Sequence, residues 1–390
     1  MSETWPMPQD DVLCALLKQI RKYGKKELLS QYETFEKNGQ FPNKAVKWLA
    51  EMGVFGLIIP VEYGGSGMGA EAAAYVAREL AYWWPGLHLI WTAHNLAVEV
   101  IIQAGTDEQK RLYLPRMAAG EIGAFGLTSP AGGSDALTTN VEAEFDLRSK
   151  CYSLTGDKCF TTNLEQASII VVTAHHVGFV RKDISAFVID MKTGSVPTGF
   201  TVSSEGEKYG FKCASFCRLG LNNVSVHESA RLGKSGEGFR SFMHSLAFGR
   251  IGIGAQSIGM SERIFYEAMK YCRDRKMFGG TLWDKQTTQH DFAKARAKLW
   301  VAWQGVVAAA RKCDAHKDFK AEASYVKYVA TETAKEAALA ITEMFGGQIV
   351  LTTHPYMQRL IEILLTGIYE GHNRVQLDII SKYLAKEFGE

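Results

Sequence analysis

The sequence predicts an α+β fold in which a β domain lies between two helical bodies. Apolar residues follow helical spacing in the first third of the 390 residues, alternate with a period of two in the middle, and return to helical spacing until the end. We expect an N-terminal helical domain at 1–119, a β-barrel or β-sandwich domain at 120–233 and a C-terminal four-helix bundle at 234–390. Since no repeat or low-complexity linker separates these parts, they should form one compact unit.

The first domain is predicted to be helical because apolar residues recur three and four positions apart. The clearest repeats are Leu13, Leu16, Leu17 and Ile20, then Ala45, Trp48, Leu49 and Met52. Between Gly53 and Gly69 this spacing stops, and Pro60 together with further glycines predicts a turn-rich loop.

The middle domain is predicted to be a β structure because its pattern has a period of two. Tyr152 and Leu154 alternate with polar neighbours. The runs 168–173, 186–189 and 224–226 are rich in β-forming residues and are bounded by Gly, Asp and Asn. Each of these runs is therefore expected to be a strand.

The last domain is predicted to be a helix bundle because helical spacing holds from Phe239 onward. One apolar stripe comprises Val326, Val329, Ala330, Ala337, Ala338, Ile341 and Phe345. Gly346 and Gly347 follow it and are expected to end that helix.

Composition places the chain among ordinary globular proteins. Hydrophobic residues make up 46% and charged residues 22%, which excludes disordered and collagen-like classes. The formal net charge of +2 leaves no broad positive surface for nucleic acid. The N-terminal residues 1–11 do not resemble a signal peptide, and no apolar run has the length of a membrane span.

The cysteines favour a reducing, cytoplasmic compartment. There are seven, an odd number, and they are scattered along the chain, which is a poor framework for disulfides. Cys213 and Cys217 are close together, but no second Cys or His pair stands at the spacing of a zinc site. Packing in a strand is the preferred interpretation of that pair, and we expect no metal.

Glu370 is the candidate catalytic residue. It follows two bulky apolar residues, Ile368 and Tyr369, and precedes Gly371. Burial against the apolar pair would raise the pKa of the carboxyl group toward neutrality, where a general base is most effective. The alternative is a glutamate at a helix N-terminus, which the helix dipole favours without any catalytic role.

Two further segments have the composition of a ligand-binding turn and a strand beside it. The segment 125–135 ends a strand in a turn rich in Gly, Ser and Thr, which can present backbone N–H groups to a flat or anionic ligand. The segment 156–163 has a turn at Asp157 followed by Phe160 and Thr162, and the alternative is an ordinary strand.

A basic segment, 273–279, is predicted at a helix end in the last domain. Arg273 and Arg275 precede Phe278 and Gly279, and Gln286 follows. An arginine there can bind a pyrophosphate through two hydrogen bonds. The alternative is a solvated helix surface.

Taken together, these segments resemble the acyl-CoA dehydrogenase family, from about residue 10 to residue 385. Two weaker markers agree with the resemblance: 53–57 leading to 60–65 looks like the first glycine-rich loop of the family, and 107–115 precedes the β domain in the usual way. The resemblance implies an oxidoreductase that binds FAD and oxidises acyl-CoA thioesters.

The resemblance also implies which residues contact the flavin. By match to the family, the cofactor-binding positions are Phe125, Leu127, Thr128, Ser134, Phe160, Thr162, Arg275, Phe278, Gln286, Glu343, Gly346, Gly347 and His372. In the family, the positions matching Arg275, Phe278 and Gln286 reach the flavin of a neighbouring subunit, so a homotetramer is expected. Two departures are notable, because Ser129 stands where the family usually has Glu, and Glu343 where it usually has Gln.

Glu370 matches the position of the family's catalytic base. It would remove the α-proton of the acyl thioester while the β-hydrogen leaves as hydride to flavin N5, giving the 2-enoyl-CoA. Some subfamilies carry the base just before the arginine that matches Arg250, but here that residue is Gly249, which takes no proton. Positions matching Arg250, Ser134, Tyr369 and Gly371 are implied to bind the substrate.

Three functions remain open from the sequence. The first is an acyl-CoA dehydrogenase that passes electrons to an electron-transfer flavoprotein. The second is an acyl-CoA oxidase or enoyl-CoA reductase on the same fold, and the third is a non-enzymatic helical interaction protein. The acyl group stays open too: an aromatic lining is expected from Trp83, Trp84, His88, Trp91, His94 and Phe248, although these side chains would serve equally well as core.

Overall fold

The N-terminal body is helical, as predicted. The computed structural model describes residues 6–178, 183–191 and 196–389, so part of the segment considered for a signal peptide, residues 1–5, lies outside the described residues. The helices are α1 (Asp11–Tyr23), α2 (Leu29–Asn38), α3 (Asn43–Glu51), α4 (Gly69–Trp83), α5 (Pro85–Ala104) and α6 (Asp107–Ala118). The turn-rich loop is confirmed, because only the short 3₁₀ turns Val54–Gly56 and Val61–Tyr63 lie between α3 and α4.

Helices α4 and α5 form the centre of this body, since almost all of their residues are buried. Helix α6 begins with a capping box in which the Thr106 side chain accepts from the Gln109 N–H and Gln109 accepts from the Thr106 N–H. The amide of Gln109 also donates to the carbonyls of Ser229 and Arg231, which fastens α6 to the β domain.

The β domain is one mixed sheet of eight strands. The strands are β1 (Gly123–Gly126), β2 (Glu142–Asp146), β3 (Cys151–Thr162), β4 (Ile169–His176), β5 (Ile184–Asp190), β6 (Phe200–Ser204), β7 (Phe216–His227) and β8 (Arg231–Leu232). Their order is β6-β7-β3-β2-β4-β5-β8, with β1 also paired to β4. Strands β1 and β2 pair with β4 in parallel, and the other pairs are antiparallel. All of the strands predicted from the period-two pattern are present.

The C-terminal body is a bundle built on α7. Its elements are α7 (Gly238–Asp274), β9 (Lys276–Met277), β10 (Gly280–Thr281), α8 (Gln286–Asp314), α9 (Lys320–Thr342), a 3₁₀ segment (Glu343–Val350), α10 (Tyr356–Leu365) and α11 (Asn373–Glu387). Helix α7 is 37 residues long and packs against α4, α5 and α9, so it joins the two helical bodies.

Two details of the predicted α9 stripe are wrong. Val329 is 46% exposed and lies off the buried face. The helix ends at Thr342, and the predicted stop, Gly346, lies inside the 3₁₀ segment with φ 53° and ψ −135°. Phe345 extends the apolar pattern of the sequence because it is buried, but it lies in the 3₁₀ segment and not on the helix.

Two further observations bear on the class of protein. All seven cysteines are free thiols. Among residues 6–178, 183–191 and 196–389, no helix combines the length and the apolar character needed to cross a bilayer.

Candidate functional site

Glu370 lies in the short loop between α10 and α11, and its carboxylate reaches α7. Its backbone has φ +52°, in the left-handed region, and Gly371 follows with φ +89°. A Cβ on Gly249 would lie 2.1 Å from Glu370 Oε2 and 2.8 Å from Leu96 Cδ2. The carboxylate therefore occupies space that exists only because residue 249 is a glycine.

Burial of this carboxylate changes its protonation. Part of the residue's surface is exposed, but Oε2 is buried and has no hydrogen-bond partner in the described part of the chain. Burial raises the pKa of Glu370 to about 8, against the opposing charges of Lys327 and Arg250. The expected role of Ile368 in this burial is wrong, because Ile368 is 55% exposed. Gly249 of α7 lies against the carboxylate instead, and Leu96 is close to the same glycine.

A polar clamp holds the loop that carries Glu370. Lys327 Nζ donates to the Gly371 carbonyl at 2.9 Å and to Asn373 Oδ1 at 2.8 Å, and Gln376 Nε2 donates to the same Gly371 carbonyl at 2.8 Å. Burial lowers the pKa of Lys327 to about 7, although the nearby charge of Glu370 opposes that shift. The clamp thus fixes the backbone and places a cationic group near the base.

Two other side chains support the same loop from α7. Arg250 Nε lies 3.5 Å from the Glu370 carbonyl, and the Tyr369 hydroxyl donates to Gln256 Oε1 at 2.6 Å. Burial lowers the pKa of Arg250, while the charge of Glu370 raises it. Arg250 and Gln256 both lie on α7, the helix that also provides Gly249, so this helix holds the loop from a second side.

A cavity lies beside the base, among α4, α5 and α7. Its empty space is about 280 Å³, including the solvent at its mouth. It is lined by Ala70, Ala73, Ala74, Trp91, Thr92, Asn95, Phe248, Gly249, Ile251 and Gly252. Gly249 therefore borders both the Glu370 carboxylate and this cavity.

The expected aromatic lining of the acyl site is only partly correct. Trp91 and Phe248 line the cavity. The others are not in its wall; Trp84, for example, donates from its indole to Glu36 Oε1 at 2.7 Å, and His94 lies 3.2 Å from the Phe55 carbonyl. The repeated aromatic residues of α4 and α5 serve mainly as core, because both helices are buried on most of their surface.

The turn after β1 and the end of β3 are brought together, as the sequence suggested. The Cys159 N–H donates to the Thr128 carbonyl at 2.9 Å, and Lys158 Nζ donates to the Leu127 carbonyl at 2.9 Å. Phe125 packs against Phe242 of α7, with ring centroids 4.4 Å apart. These contacts place both predicted cofactor segments along one edge of the sheet, next to α7.

An exposed aromatic surface lies on this edge. Phe160 has φ +57° and is 55% exposed, and its ring stacks on Phe216 with centroids 5.3 Å apart and planes inclined by 16°. The pairing of β3 with β7 shifts register between Lys158 and Thr161, which accounts for the unusual direction of this side chain. Thr162 follows Phe160 closely and is half-buried.

The residues of this edge fit a flat heteroaromatic ring with hydrogen-bonding edges. The flat Phe160 ring offers a stacking face. Next to it in the sequence, Thr161 Oγ1 and Asn163 Oδ1 are buried without a hydrogen-bond partner in the described residues. The exposed Phe160 ring is thus the part of this edge that can stack on a flat ligand.

Lys158 supports this edge from inside the sheet. Besides the Leu127 carbonyl it donates to the hydroxyls of Ser129, Thr139 and Thr173, at 3.3, 2.8 and 2.8 Å. Burial lowers the pKa of Lys158 to about 7. Because a serine stands at position 129, hydroxyl and carbonyl oxygens hold this buried lysine rather than a carboxylate.

The remaining predicted cofactor residues lie elsewhere. Arg275, Phe278 and Gln286 are exposed around the β9–β10 hairpin, and Phe278 is 86% exposed. Arg275 is roughly 37 Å along α7 from Arg250, at about 1.5 Å per residue. The exposed turn with Glu343, Gly346 and Gly347 packs near the same end of α7, through Tyr271 and Phe345 with ring centroids 5.4 Å apart.

Two other predicted residues have local surroundings of their own. Ser134 is exposed in the turn after β1. His372 is exposed and caps α11, where its Nδ1 accepts from the Arg374 N–H at 3.1 Å. The structure thus forms three groups of predicted site residues. The first comprises Glu370, Arg250, Tyr369 and Gly371. The second comprises Phe125, Leu127, Thr128, Phe160 and Thr162, and the third Arg275, Phe278, Gln286, Glu343, Gly346 and Gly347.

Sequence reasoning missed the residues that act through tertiary contacts. Lys327 was not singled out, although it stands beside Val326 in the apolar stripe of α9, and a lysine at that point was the available signal. Lys158 was read as part of a strand without a role. Asn95 of α5 was overlooked because aromatic neighbours surround it in the sequence.

Comparisons with known proteins agree with this geometry. Three family models match consecutive parts of the chain: the acyl-CoA dehydrogenase N-terminal domain at 12–121, the middle domain at 124–224 and the C-terminal domain at 236–385.

The chain is also similar to individual proteins over nearly its whole length. It is 33% identical to an acyl-CoA dehydrogenase of Bacillus subtilis, covering 94% of this chain and 96% of the relative. It is 32% identical to the NADH-dependent acryloyl-CoA reductase of Anaerotignum propionicum, covering 95% and 94%. The solved structure of butyryl-CoA dehydrogenase from Megasphaera elsdenii superposes with a TM-score of 0.92 at 29% identity, covering 97% of this chain and 100% of that one.

Proposed function

Because this chain belongs to the acyl-CoA dehydrogenase family, we propose that Glu370 is the base with which it dehydrogenates an acyl-CoA thioester to the 2-enoyl-CoA. The enzyme class follows from the family, and the assignment of the base is ours. The observation that carries it is the Glu370 carboxylate, which is buried against Gly249 at the wall of the cavity.

Glu370 would take the proton from Cα of the substrate. With a pKa near 8, its carboxylate is a much stronger base than an exposed glutamate. The clamp on the Gly371 carbonyl holds the loop without occupying Oε2, which stays free to accept the proton. Arg250, Tyr369, Gly371 and Ser134 are the proposed substrate-binding residues, and Arg250 would steady the backbone beside the thioester.

We propose FAD as the cofactor, with its flavin ring at the exposed edge of the sheet. Phe125, Leu127, Thr128, Phe160 and Thr162 would hold the ring, and Phe160 would cover one face of it. When bound, FAD supplies the two-electron acceptor for the Cβ hydrogen, which leaves as hydride toward N5. The chain's own part is to bind and orient both molecules and to accept the α-proton.

The third group of predicted residues would complete the cofactor site of a second copy. Arg275, Phe278 and Gln286 are exposed, and Arg275 lies roughly 37 Å along α7 from Arg250. Together with Glu343, Gly346 and Gly347 they would reach the cofactor of a neighbour rather than that of their own sheet edge. Ser134 and His372 are proposed to contact the outer parts of the cofactor. We therefore propose a homo-oligomer, a tetramer by resemblance, with electron-transfer flavoprotein as the electron acceptor.

The test is anaerobic loss of the blue-region absorbance of oxidised FAD on adding acyl-CoA thioesters. Straight, branched, cyclic and dicarboxylic acyl-CoAs would be compared, with Glu370→Gln measured alongside. We expect at least one class to bleach the wild-type flavin and none to bleach the variant at a comparable rate. A protein that binds FAD and is bleached by no saturated thioester would contradict dehydrogenation.

Enoyl-CoA reduction is the second candidate, favoured by the similarity to an acryloyl-CoA reductase. In that direction the protonated Glu370 would deliver the α-proton. Rapid reoxidation of chemically reduced enzyme by a 2-enoyl-CoA, with no bleaching by saturated thioesters, would establish this direction. Equally rapid reoxidation by oxygen would identify an oxidase.

A further inference from the structure

The cavity beside the base contains a polar group that nothing in the protein satisfies. Asn95 lies on α5, is only 2% exposed and is part of the cavity wall. Its Oδ1 is buried and has no hydrogen-bond partner among the described residues. Buried amide oxygens in folded proteins are nearly always paired, so an unpaired one on a residue that lines a cavity indicates a partner from outside the chain.

We propose that the acyl group of the substrate carries an uncharged hydrogen-bonding group, such as a hydroxyl, that pairs with Asn95 inside this cavity. The inference rests on the acyl-CoA dehydrogenation proposed above and adds a substrate class to it. The site is specific to this group because the rest of the wall is almost entirely apolar.

The wall excludes a charged group at this point. Its ten residues are alanines, glycines, two aromatic residues, Ile251, Thr92 and Asn95, and none carries a charge. A terminal carboxylate would be buried there without a cation, which is strongly unfavourable. A neutral hydroxyl, in contrast, can both donate to the Asn95 oxygen and accept from its amide NH₂.

Thr92 supplies a second polar atom in the same wall. It lies one helical turn before Asn95 on α5, and both residues are more than nine-tenths buried. Its Oγ1 would be 3.7 Å from a Cβ at Gly252, so the hydroxyl lies beside the part of α7 that lines the cavity. A hydroxyl of the ligand would therefore have two neighbours of suitable chemistry.

The cavity lies where the end of a short acyl chain would reach. Gly249 contacts the Glu370 carboxylate and also lines the cavity, and Leu96, next to Asn95, approaches the same glycine. A thioester with its Cα at Glu370 would thus extend past Gly249 toward Asn95. Ala73 and Gly252 are among the small residues of the cavity wall, so no long side chain from these positions blocks that direction.

The experiment compares thioesters that differ only by a hydroxyl in place of a methyl group. The pairs are 4-hydroxybutyryl-CoA with pentanoyl-CoA and 5-hydroxypentanoyl-CoA with hexanoyl-CoA. Dissociation constants are measured by calorimetry in Glu370→Gln holoenzyme, which binds without turnover, and flavin bleaching is measured in the wild type. Succinyl-CoA serves as the charged member of the series.

We expect one hydroxyacyl thioester to bind about tenfold or more tightly than its alkyl partner, because an unpaired buried amide penalises the alkyl group. Succinyl-CoA should bind most weakly. Asn95→Leu, which is similar in size, should reverse the preference, and Thr92→Val should reduce it. FAD content and circular dichroism check that both variants fold. If Asn95→Leu does not fold, the comparison of the thioester pairs in the enzyme with Asn95 intact still decides the question.

Alkyl thioesters that bind as tightly as their hydroxyl partners in every pair would overturn the proposal, since a water would then satisfy Asn95. That result, with alkyl thioesters bleaching the flavin, would leave the dehydrogenase function intact. If no thioester of any kind bleaches the flavin or binds, the proposed function fails and this inference falls with it.

Discussion

Glu370 combines a backbone conformation that glutamate rarely adopts with a carboxylate buried in a gap on α7. A non-glycine residue at φ +52° carries a conformational cost of about 1–3 kcal/mol and persists only where its surroundings enforce it. Here the enforcement comes from the hydrogen bonds of Lys327 and Gln376 to the Gly371 carbonyl. The strain therefore lies at the residue to which the chemistry is assigned.

Filling the gap at Gly249 should displace the base. In Gly249→Ala the new Cβ would lie 2.1 Å from Glu370 Oε2, so the carboxylate must move. We expect the rate of flavin bleaching to fall about 10²-fold, a typical effect of a misplacement of about 1 Å. The helix should remain intact because alanine favours it.

Gly305→Ala on α8 is the matched control for this substitution. The nearest atom to its Cβ would be Val326 Cγ1 at 3.4 Å, an ordinary contact. Stopped-flow bleaching of both variants, with FAD content measured for each, makes the comparison. Equal rates in the two variants would show that the contact between Gly249 and Glu370 does not matter for activity.

Removing the cation at Lys327 should lower the ionised fraction of Glu370 at neutral pH. Lys327 lowers the pKa of Glu370, so in Lys327→Met that pKa should rise by about one pH unit. The pH profile of bleaching would then move to more alkaline values. The control is Lys298→Met, which removes an exposed lysine paired with Glu336; its profile should match the wild type. An unshifted profile in a folded Lys327→Met enzyme would count against the coupling.

At the scale of elements, Asn163 joins the sheet to the helical core. Its Nδ2 donates to the carbonyl of Ile90 on α5 at 2.8 Å and to that of Gly123 on β1 at 3.1 Å. This residue has φ +69°, which asparagine tolerates better than most residues. One side chain thus fixes the cofactor edge of the sheet against the helix that lines the cavity.

Asn163→Asp should uncouple these elements. The carboxylate cannot donate, so two buried carbonyls lose their partner, and we expect a loss of about 1–3 kcal/mol in the free energy of unfolding. Urea unfolding measures this, and FAD retention should fall with it. Asn223→Asp, at an exposed position with φ +54°, is the control and should be nearly neutral. A loss of equal size in both variants would mean that the backbone conformation, not the pair of donors, is responsible.

Sequence patterns predicted the elements well and their tertiary partners poorly. The strands around Tyr152 and the helix at Leu13 could be predicted because one face of each element is buried, which gives the apolar residues a regular spacing. The polar clamp could not be predicted, because Lys327 and Gly371 are 44 residues apart and meet only through the packing of α9 against the loop. The prediction that Ile368 helps to bury Glu370 was wrong for a related reason, because a residue next to another in sequence need not cover its side chain in space.

At the scale of the whole molecule, the structure separates two sets of predicted functional residues along α7. Arg250, beside Glu370, lies in the N-terminal half of the helix and Arg275 caps its C-terminal end, roughly 37 Å away along the axis. Because these two sets lie far apart within one subunit, their separation supports the proposed homo-oligomer.

Complementation between subunits tests that proposal. Arg275→Ala should lose most of its FAD while its subunits stay folded, and Glu370→Gln should bind FAD without activity. In mixed oligomers, an intact Arg275 can serve the site whose base is intact, so activity should recover to a substantial fraction of the wild type. Size-exclusion chromatography confirms that the two variants assemble together. Mixed oligomers that remain inactive at every ratio would contradict the shared site.

The central claim is that Glu370, with its raised pKa, is the base, and one measurement tests it most directly. The second-order rate constant for anaerobic flavin bleaching would be followed from pH 6 to 10 in the wild type and in Glu370→Gln. A base works when ionised, so the wild-type rate should rise with pH, with a midpoint near 8, and then level off. Glu370→Gln should be about 10²–10⁴-fold slower and show no such rise. A wild-type rate that does not change with pH, or a variant that keeps its activity, would contradict the account.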